Sequence, residues 1–292
     1  MRQLVVLSGK GGTGKTTVAA SLARLARKTA VADCDVDAPN LHLVFKPTLV
    51  SSKPFYGYQI AELDQHSCID CGRCRELCRF GAISDRVVDP LKCEGCGVCE
   101  AFCPAKDHLG RPAIRLVDNV TGEVSLGKVR GELFSTASLK MGSGASGKLV
   151  TEVKKNITSR STGQELFLID GSPGIGCPVI ASITGAHVVL SVAEPTQSGL
   201  HDLERIVQTA KGFGARCLVC INKYDLNPQI TEQIIDYCRR EGVEPIGKIP
   251  FDPQVSKAVN CGKPIVDFPQ SPAAGAIIEL WNKIKDILEE ES

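Results

Sequence analysis

Short apolar runs separated by amphipathic stretches recur along this chain. Arg2–Ser8 carries Leu4, Val5, Val6 and Leu7 in a row, and 29–32, 165–169, 187–193, 215–222 and 245–249 have the same continuous apolar character. Runs of this length without alternation suit strands buried on both faces. Between them apolar positions fall at helical spacing, first over about 15–27 and last over Ala273–Leu288, where Ile277, Leu280, Trp281, Ile284, Ile287 and Leu288 share one stripe. Strand and helix in alternation predict an α/β domain: a doubly wound, mostly parallel sheet that binds ligands at the carboxyl ends of its strands. The alternation breaks over residues 51–106, which read as an inserted domain between 1–50 and 107–292. Beyond the insert, turn signals at Asp118-Asn119 and Thr121-Gly122, flanked by Ile114, Leu116, Val117, Val120 and Val124, predict a β-hairpin within 107–136. A glycine and serine stretch, Met141 to Lys148, then opens a helix that continues to about Ser159.

The first strand runs into Gly9-Lys10-Gly11-Gly12-Thr13-Gly14-Lys15-Thr16, a G-x4-G-K-T sequence in the strand-to-helix setting that its chemistry requires. Glycines let backbone N–H groups face phosphates, and the helix start adds its positive end. Lys15 reaches the β and γ phosphates, and Thr16 offers a hydroxyl to Mg²⁺. Residues Gly9, Lys10, Gly11, Gly12, Thr13, Gly14, Lys15, Thr16 and Thr17 are therefore the expected nucleotide cradle. Lys10 makes it the deviant form, K-G-G-x-G-K-T.

Eight of the fourteen cysteines lie inside the insert. Cys68, Cys71, Cys74, Cys78 and Cys93, Cys96, Cys99, Cys103 each form C-x2-C-x2-C-x3-C, with Pro104 after the second run. This is the bacterial ferredoxin pattern for two [4Fe-4S] clusters. In that pattern the fourth cysteine of one run ligates the other run's cluster, which assigns Cys68, Cys71, Cys74 and Cys103 to one and Cys93, Cys96, Cys99 and Cys78 to the second. Gly72, Gly95 and Gly97 allow the tight turns, and thiolates suit soft iron. Zinc more often takes two separated C-x2-C pairs. Arg79 departs from the pattern, standing where the first run would carry proline.

On these motifs the chain resembles the MinD/ParA-type P-loop ATPases, in the subgroup with an inserted bacterial ferredoxin-like domain, over essentially its whole length. Wider relatives include the Mrp-like iron–sulfur carriers and the nitrogenase iron protein. The resemblance implies ATP, Mg²⁺ and an ATP-dependent dimer, either a homodimer or a heterodimer with a paralogue, in which Lys10 reaches the partner's nucleotide. It makes Asp33-Cys34-Asp35-Val36-Asp37 switch I, with Asp35 orienting the attacking water and Asp33 assisting Mg²⁺ through water. It makes Asp170-Gly171-Ser172-Pro173-Gly174 the Walker B aspartate and switch II, with Asp170 and Thr16 on Mg²⁺ and Gly174 near the γ-phosphate. Lys10, Lys15 and Asp35 form the implied catalytic set, while Asn222, Lys223, Pro250 and Asp252 bracket the adenine. Asn222-Lys223-Tyr224-Asp225 also spells the N-K-x-D of GTPases, so the base is decided by the loop form, which favours ATP. Cys177 matches a cluster ligand of the nitrogenase iron protein, against which stands the packing role of most lone cysteines. The 141–148 stretch resembles a mobile element near the nucleotide or partner face.

Composition narrows the options. At 292 residues, 43% hydrophobic and 23% charged, the chain can bury one full core and a small appended domain. A net charge of +1 gives no general drive toward nucleic acid or an anionic membrane, and the tail Glu289-Glu290-Glu291-Ser292 is acidic where a bilayer favours lysine and arginine. No secretory signal or bilayer-spanning stretch is recognisable, and the cysteine usage fits a reducing cytoplasm. Cys217 and Cys220 would face opposite sides of a strand, which argues against a metal site there. The expected function is an ATP-hydrolysing iron–sulfur protein that couples nucleotide-driven dimer changes to electron transfer toward a redox or metal-cofactor partner. A carrier that assembles and delivers a metal cofactor is the alternative, and a spatial organiser is the weaker third.

Overall fold

Each apolar run read as a strand is one in the computed structural model, which describes residues 1–290. The acidic tail residues Glu291 and Ser292 lie outside the described part. Along the chain come β1 (Arg2–Leu7), α1 (Lys15–Leu25), β2 (Thr29–Asp33), α2 (Leu41–Phe45) and β3 (Thr48–Leu63). Then follow α3 (Arg73–Leu77), β4 (Ile83–Ser84), β5 (Val87–Val88), α4 (Val98–Ala101), β6 (Ile114–Val129) and β7 (Glu132–Leu139). The remainder is α5 (Ser146–Thr158), β8 (Leu166–Asp170), α6 (Cys177–Ile183), β9 (Val188–Ala193), α7 (Gln197–Gly212), β10 (Arg216–Asn222), α8 (Pro228–Glu241), β11 (Glu244–Ile249), α9 (Gln254–Asn260) and α10 (Pro272–Glu290).

Two compact units result. The first comprises Met1–Lys53, Val124–Ser138 and the chain from Ser146 onward; the second comprises Pro54–Glu123 and Leu139–Ala145. The second unit therefore runs past the far end of the expected insert of 51–106. The long strands β3 and β6 each span 16 residues and contribute part of their length to it. The hairpin also differs from expectation. Its turn is Arg130-Gly131, both at positive φ (50° and 86°), while Asp118-Asn119 and Thr121-Gly122 lie within β6. Two successive left-handed residues match the twist of paired strands, which a pair of merely polar residues does not achieve.

Strand order in the large sheet is β11-β10-β9-β1-β8-β2-β7-β6-β3. The pairs β1–β8, β1–β9, β2–β8, β2–β7, β9–β10 and β10–β11 are all parallel. In β1, Leu4 and Val6 belong to a core shared with α1 and α10, while Val5 and Leu7 are equally buried but point to the opposite face. The C-terminal stripe behaves accordingly: Ile277, Leu280, Ile284, Ile287 and Leu288 are buried in that core, with Trp281 packed at its edge. Among the described residues no helix is long and apolar enough to cross a membrane.

On the other face, α5 and α6 are fastened by a buried lysine. The ammonium of Lys154 on α5 donates to the carbonyls of Ala181, Ser182 and Thr184 at 3.2, 2.8 and 2.6 Å, at the carboxyl end of α6. A cation there answers the unpaired carbonyls and the negative end of the helix dipole. Burial lowers the Lys154 pKa.

The second unit has a small core of Ala61, Ile83 and Ile114, against which Cys74, Cys78, Cys93, Cys99 and Cys103 pack. The β4–β5 pair is antiparallel, Ile83 opposite Val88.

The start of α7 supplies a test of this packing. Thr196 caps α7 by accepting the Gly199 N–H at 3.0 Å, and a Cβ on Gly199 would lie 2.2 Å from the Glu194 carbonyl oxygen. Alanine favours a helix over glycine by about 1 kcal/mol, yet overpacking against backbone costs about 1–3 kcal/mol. Gly199→Ala should therefore lower the midpoint of denaturant unfolding. An unchanged or raised midpoint would show that the turn at Glu194 yields freely.

Candidate functional site

The carboxyl ends of β1, β2, β8, β9 and β10 deliver the residues of the first site. After β1 the chain wraps through Ser8–Gly14 into α1, with Gly12 and Gly14 at φ 81° and 91°. Gly14 also permits a close approach: a Cβ there would fall 2.3 Å from Nδ2 of Asn222, which donates to the Thr13 carbonyl at 2.7 Å. Asn222 thus braces the cradle directly.

The Lys15 ammonium bonds Asp170 Oδ1 at 2.6 Å, with side chains only 6% and 1% exposed, and also reaches the Thr16 hydroxyl at 3.4 Å. Burial pulls this lysine toward neutrality, but Asp170, then Asp35 and Asp33, outweigh it and hold its pKa above the ordinary value. The other oxygen, Asp170 Oδ2, is buried with no hydrogen-bond partner. A buried, unpaired carboxylate oxygen beside a threonine hydroxyl fits a hard divalent cation such as Mg²⁺, which favours oxygen donors.

Asp33, fully buried at the end of β2, accepts the N–H groups of Asp35, Asn40 and Leu41 at 3.2, 3.1 and 3.0 Å. Its carboxyl therefore folds the switch I segment around itself. Burial, followed by the negative Asp170, pushes its pKa up to about 7 against those donors and Lys15. Burial also raises Asp35, opposed by Lys15. Switch II is tied to the same strands: Gly171 N–H donates to the Val6 carbonyl, Gly174 N–H to that of Ser8, and the Ser172 hydroxyl to that of Cys34 at 2.6 Å.

Lys10 does not point into its own cradle. Its ammonium contacts Glu194 at 3.4 Å and donates to the Thr196 and Ser198 hydroxyls at 3.1 and 3.2 Å. Glu194 simultaneously pairs with Lys223 at 2.7 Å. Burial raises the Glu194 pKa, but the two lysines more than offset it and leave it below the usual value. The sequence reading missed Glu194, although its place at the end of β9, before Pro195-Thr196, was the available signal. Of the expected base contacts, Asn222 and Lys223 lie beside the cradle. Asp252 instead holds the starts of α9 and α10, its oxygens accepting from Ser271 Oγ (2.5 Å), Gln254 N (2.8 Å) and Ala273 N (3.4 Å). Asp225 accepts the Phe251 N–H at 2.7 Å. A cavity of about 350 Å³, also unforeseen, is walled by Thr16, Thr17, Leu43, Val255 and Val259.

In the second unit, the two cysteine runs repeat at a spacing of 25 residues. The backbone repeats too: Asp70 and Gly95 are at φ 53° and 62°, and Gly72 and Gly97, which precede α3 and α4, at 70° and 77°. Cys68, Cys71, Cys74 and Cys103 all line one cavity of about 320 Å³, whose apolar wall includes Leu63, Ile83 and Ile114; Cys78 is not on it. Burial raises the Cys74 thiol and pushes Cys99 up to about 11, so binding a metal there must expel protons. Among the described residues no three cysteine, histidine, aspartate or glutamate side chains converge on a point where they could hold one metal ion. The four cysteines instead line a shared space. Cys34, Cys217, Cys220 and Cys238 are buried elsewhere; Cys177, first residue of α6, is exposed, with a Cβ on Gly147 lying 3.1 Å from its own.

A parallel α/β sheet with a glycine cradle, a buried lysine–aspartate pair and an unpaired carboxylate oxygen defines a P-loop nucleotide-binding protein. Residues 4–265 match the CobQ/CobB/MinD/ParA nucleotide binding domain, and the chain belongs to that family. An uncharacterized protein of Methanocaldococcus jannaschii is 32% identical over 289 residues, covering 98% of this chain and 97% of its own. An iron-sulfur cluster carrier protein of Pyrococcus horikoshii is 24% identical over 308 residues, covering 99% and 87%. The septum site-determining protein MinD of P. horikoshii, solved in complex with Mg-ADP, superposes with a TM-score of 0.60 at 19% identity over 100% of this chain and 98% of that one. Fold and sequence thus agree on a P-loop ATPase family.

Asp33 offers a test with a definite sign. A carboxyl raised from 3.8 to about 7 retains a proton that the unfolded chain has already released. Its contribution to stability is present at low pH and is lost as pH rises between those values. The nucleotide-free, Mg²⁺-free protein should lose stability as pH rises from 3.8 to about 7, and Asp33→Asn should flatten that slope. Parallel unfolding profiles for both proteins would reject the assignment.

Proposed function

We propose that this protein is an ATP-hydrolysing iron–sulfur protein in which nucleotide-driven changes of dimer geometry gate electron transfer from two resident [4Fe-4S] clusters to a redox or metal-cofactor protein. The observation that carries the reading is the shared cavity of Cys68, Cys71, Cys74 and Cys103: three sulfurs from one run and the fourth from the other. That grouping is the crossed ligation of the two-cluster ferredoxin pattern. Cys93, Cys96, Cys99 and Cys78 are the remaining set. When bound, the clusters supply reversible one-electron chemistry.

The chain's own residues define the nucleotide half. In the free protein Lys15 is the partner of Asp170; ATP phosphates offer the lysine a competing partner of higher charge. Its departure leaves Asp170, with Thr16, to hold Mg²⁺, whose charge offsets that of the phosphates, and removes the attraction that Asp33 and Asp35 feel toward Lys15. Asp35 then orients the attacking water, Asp33 assists through water, and Gly174 approaches the γ-phosphate. Lys10, parked on Glu194, Thr196 and Ser198, is free to cross to a second subunit's nucleotide when these contacts are exchanged. Asn222, Lys223 and Pro250 border the base, and the deviant loop favours ATP over GTP. The reading puts the protein in a reducing cytoplasm, without nucleic-acid or stable membrane binding.

A second reading, a carrier that hands an iron–sulfur cluster to an acceptor, is favoured by the relatives named as iron-sulfur cluster carriers. Crossed ligation by four cysteines supports clusters that stay, and exposed, incompletely ligated sites would suit clusters that leave.

Anaerobically reconstituted protein should contain about eight iron and eight sulfide per chain; about half that or less, or zinc in their place, would refute the two-cluster reading. Lys15→Ala should weaken ATP binding by roughly 100-fold or more in equilibrium titration, the loss of a buried charged contact to phosphate. Lys10→Ala should bind ATP normally but hydrolyse it roughly tenfold or more slowly, as removal of a transition-state cation does. Normal turnover in the Lys10 variant would remove its role across the dimer. Stoichiometric loss of iron to an acceptor protein during turnover would favour the carrier.

A further inference from the structure

The two cysteine runs are related by an internal repeat, and the repeat is broken in the hydrogen bonds offered to sulfur. Ala82 N–H donates to Cys78 Sγ at 3.4 Å, and Ala61 N–H donates to Cys93 Sγ at 3.3 Å. Both acceptors belong to the set Cys78, Cys93, Cys96 and Cys99. The repeat of 25 residues carries Cys78 onto Cys103 and Ala82 onto Asp107. The Asp107 N–H is already committed, donating to the Arg111 carbonyl at 2.8 Å. That turn is fixed by the Asp107 carboxylate, which accepts from Leu109 N, Arg111 N and the Arg111 guanidinium. Among the described residues Cys103 consequently has no counterpart of the Ala82 donor, and its own thiol donates to the Ala105 carbonyl at 3.4 Å.

Water exposure is alike in the two sets. Each run has one exposed sulfur, Cys71 in the first and Cys96 in the second, so water reaches both. On the wall of the first cavity, Arg75 and Arg86 are matched by Asp70 and Asp85. The pair of N–H dipoles, in contrast, falls on one set only. A positive N–H end against a ligand sulfur stabilises the more negative, reduced form of a cluster and raises its potential.

We infer that the cluster held by Cys78, Cys93, Cys96 and Cys99 has the higher potential of the two and is where a single electron rests, with the N–H groups of Ala82 and Ala61 as the tuning donors and the Asp107 turn as the reason that Cys103 lacks the first of them. This inference rests on the two-cluster reading above. The step is a one-electron transfer: a one-electron reductant such as dithionite is oxidised, this cluster is reduced, and no bond or proton is exchanged. The cluster of Cys68, Cys71, Cys74 and Cys103 is then the entry or exit point, oxidised at rest and more reducing once filled.

The test is an EPR-monitored redox titration of the full-length, anaerobically reconstituted chain, with iron counted first. Cys71→Asp and Cys96→Asp each change the signature of one cluster while leaving it three sulfurs, so each wave can be assigned. The expected result is two waves, the higher one altered by Cys96→Asp, with roughly a tenfold or greater preference for that cluster at one electron per chain, equivalent to about 59 mV for a one-electron couple. Ala82→Pro, which removes the donor, should lower that wave alone; if this variant does not fold, the wave assignment decides by itself. Coincident waves, or a higher wave altered by Cys71→Asp, would overturn the inference while leaving two clusters in place. An iron count well below about eight would instead defeat the reading beneath it.

Discussion

The buried ion pair between Lys15 and Asp170 is the constraint around which the nucleotide-binding unit is organised. Isolated charges cannot be buried at so little exposure without partners, and a buried pair contributes less to net stability than to the specificity of the arrangement. Each member of this pair belongs to a different motif. Lys15 opens α1 after the glycine loop, and Asp170 ends β8 ahead of switch II. Around them, Asp33 turns its carboxylate onto the switch I backbone, and Cys34 N–H bonds the Asp170 carbonyl at 2.8 Å. Of these contacts, the Lys15–Asp170 pair is the one that nucleotide and Mg²⁺ would exchange.

The same logic applies to Lys10. Its contacts with Glu194 and two hydroxyls satisfy the cation on its own chain, at a side-chain exposure of 33% that leaves it free to exchange them. A partly exposed ion pair is worth little in stability, so the exchange costs little. Lys154 is the opposite case: buried, and bonded to three carbonyls at the end of α6, it fixes the helix that follows switch II rather than moving with ligand.

Much of this was legible in the sequence because spacing encodes geometry. A central parallel strand must be apolar on both faces, so β1, β8 and β9 announce themselves; the loop before Lys15 and the two cysteine runs are recognised by their spacings. Legibility failed where tertiary pairing overrode local signals. β3 begins with seven exposed residues and carries Pro54 and Gly57, so nothing in its own pattern marks a strand. Asp118, read as a turn residue, sits within β6 with its carboxylate accepting from Gln59. Asp252 matched a base-contacting position, but Ser271, brought near only by the fold, claims its carboxylate. Glu194 has no motif of its own, and only the meeting of β9 with the loop gives it Lys10 and Lys223 as partners.

If nucleotide gates electron transfer, the exchange at Lys15 and Asp170 must be felt by the metal clusters. That coupling is read from the reduction potentials of the reconstituted clusters with and without saturating Mg-ATP, alongside Lys15→Ala as the control that cannot make the exchange. A nucleotide-dependent shift in the unmodified protein that vanishes in the variant is the expected result. Identical potentials with and without nucleotide in both proteins would contradict the coupling.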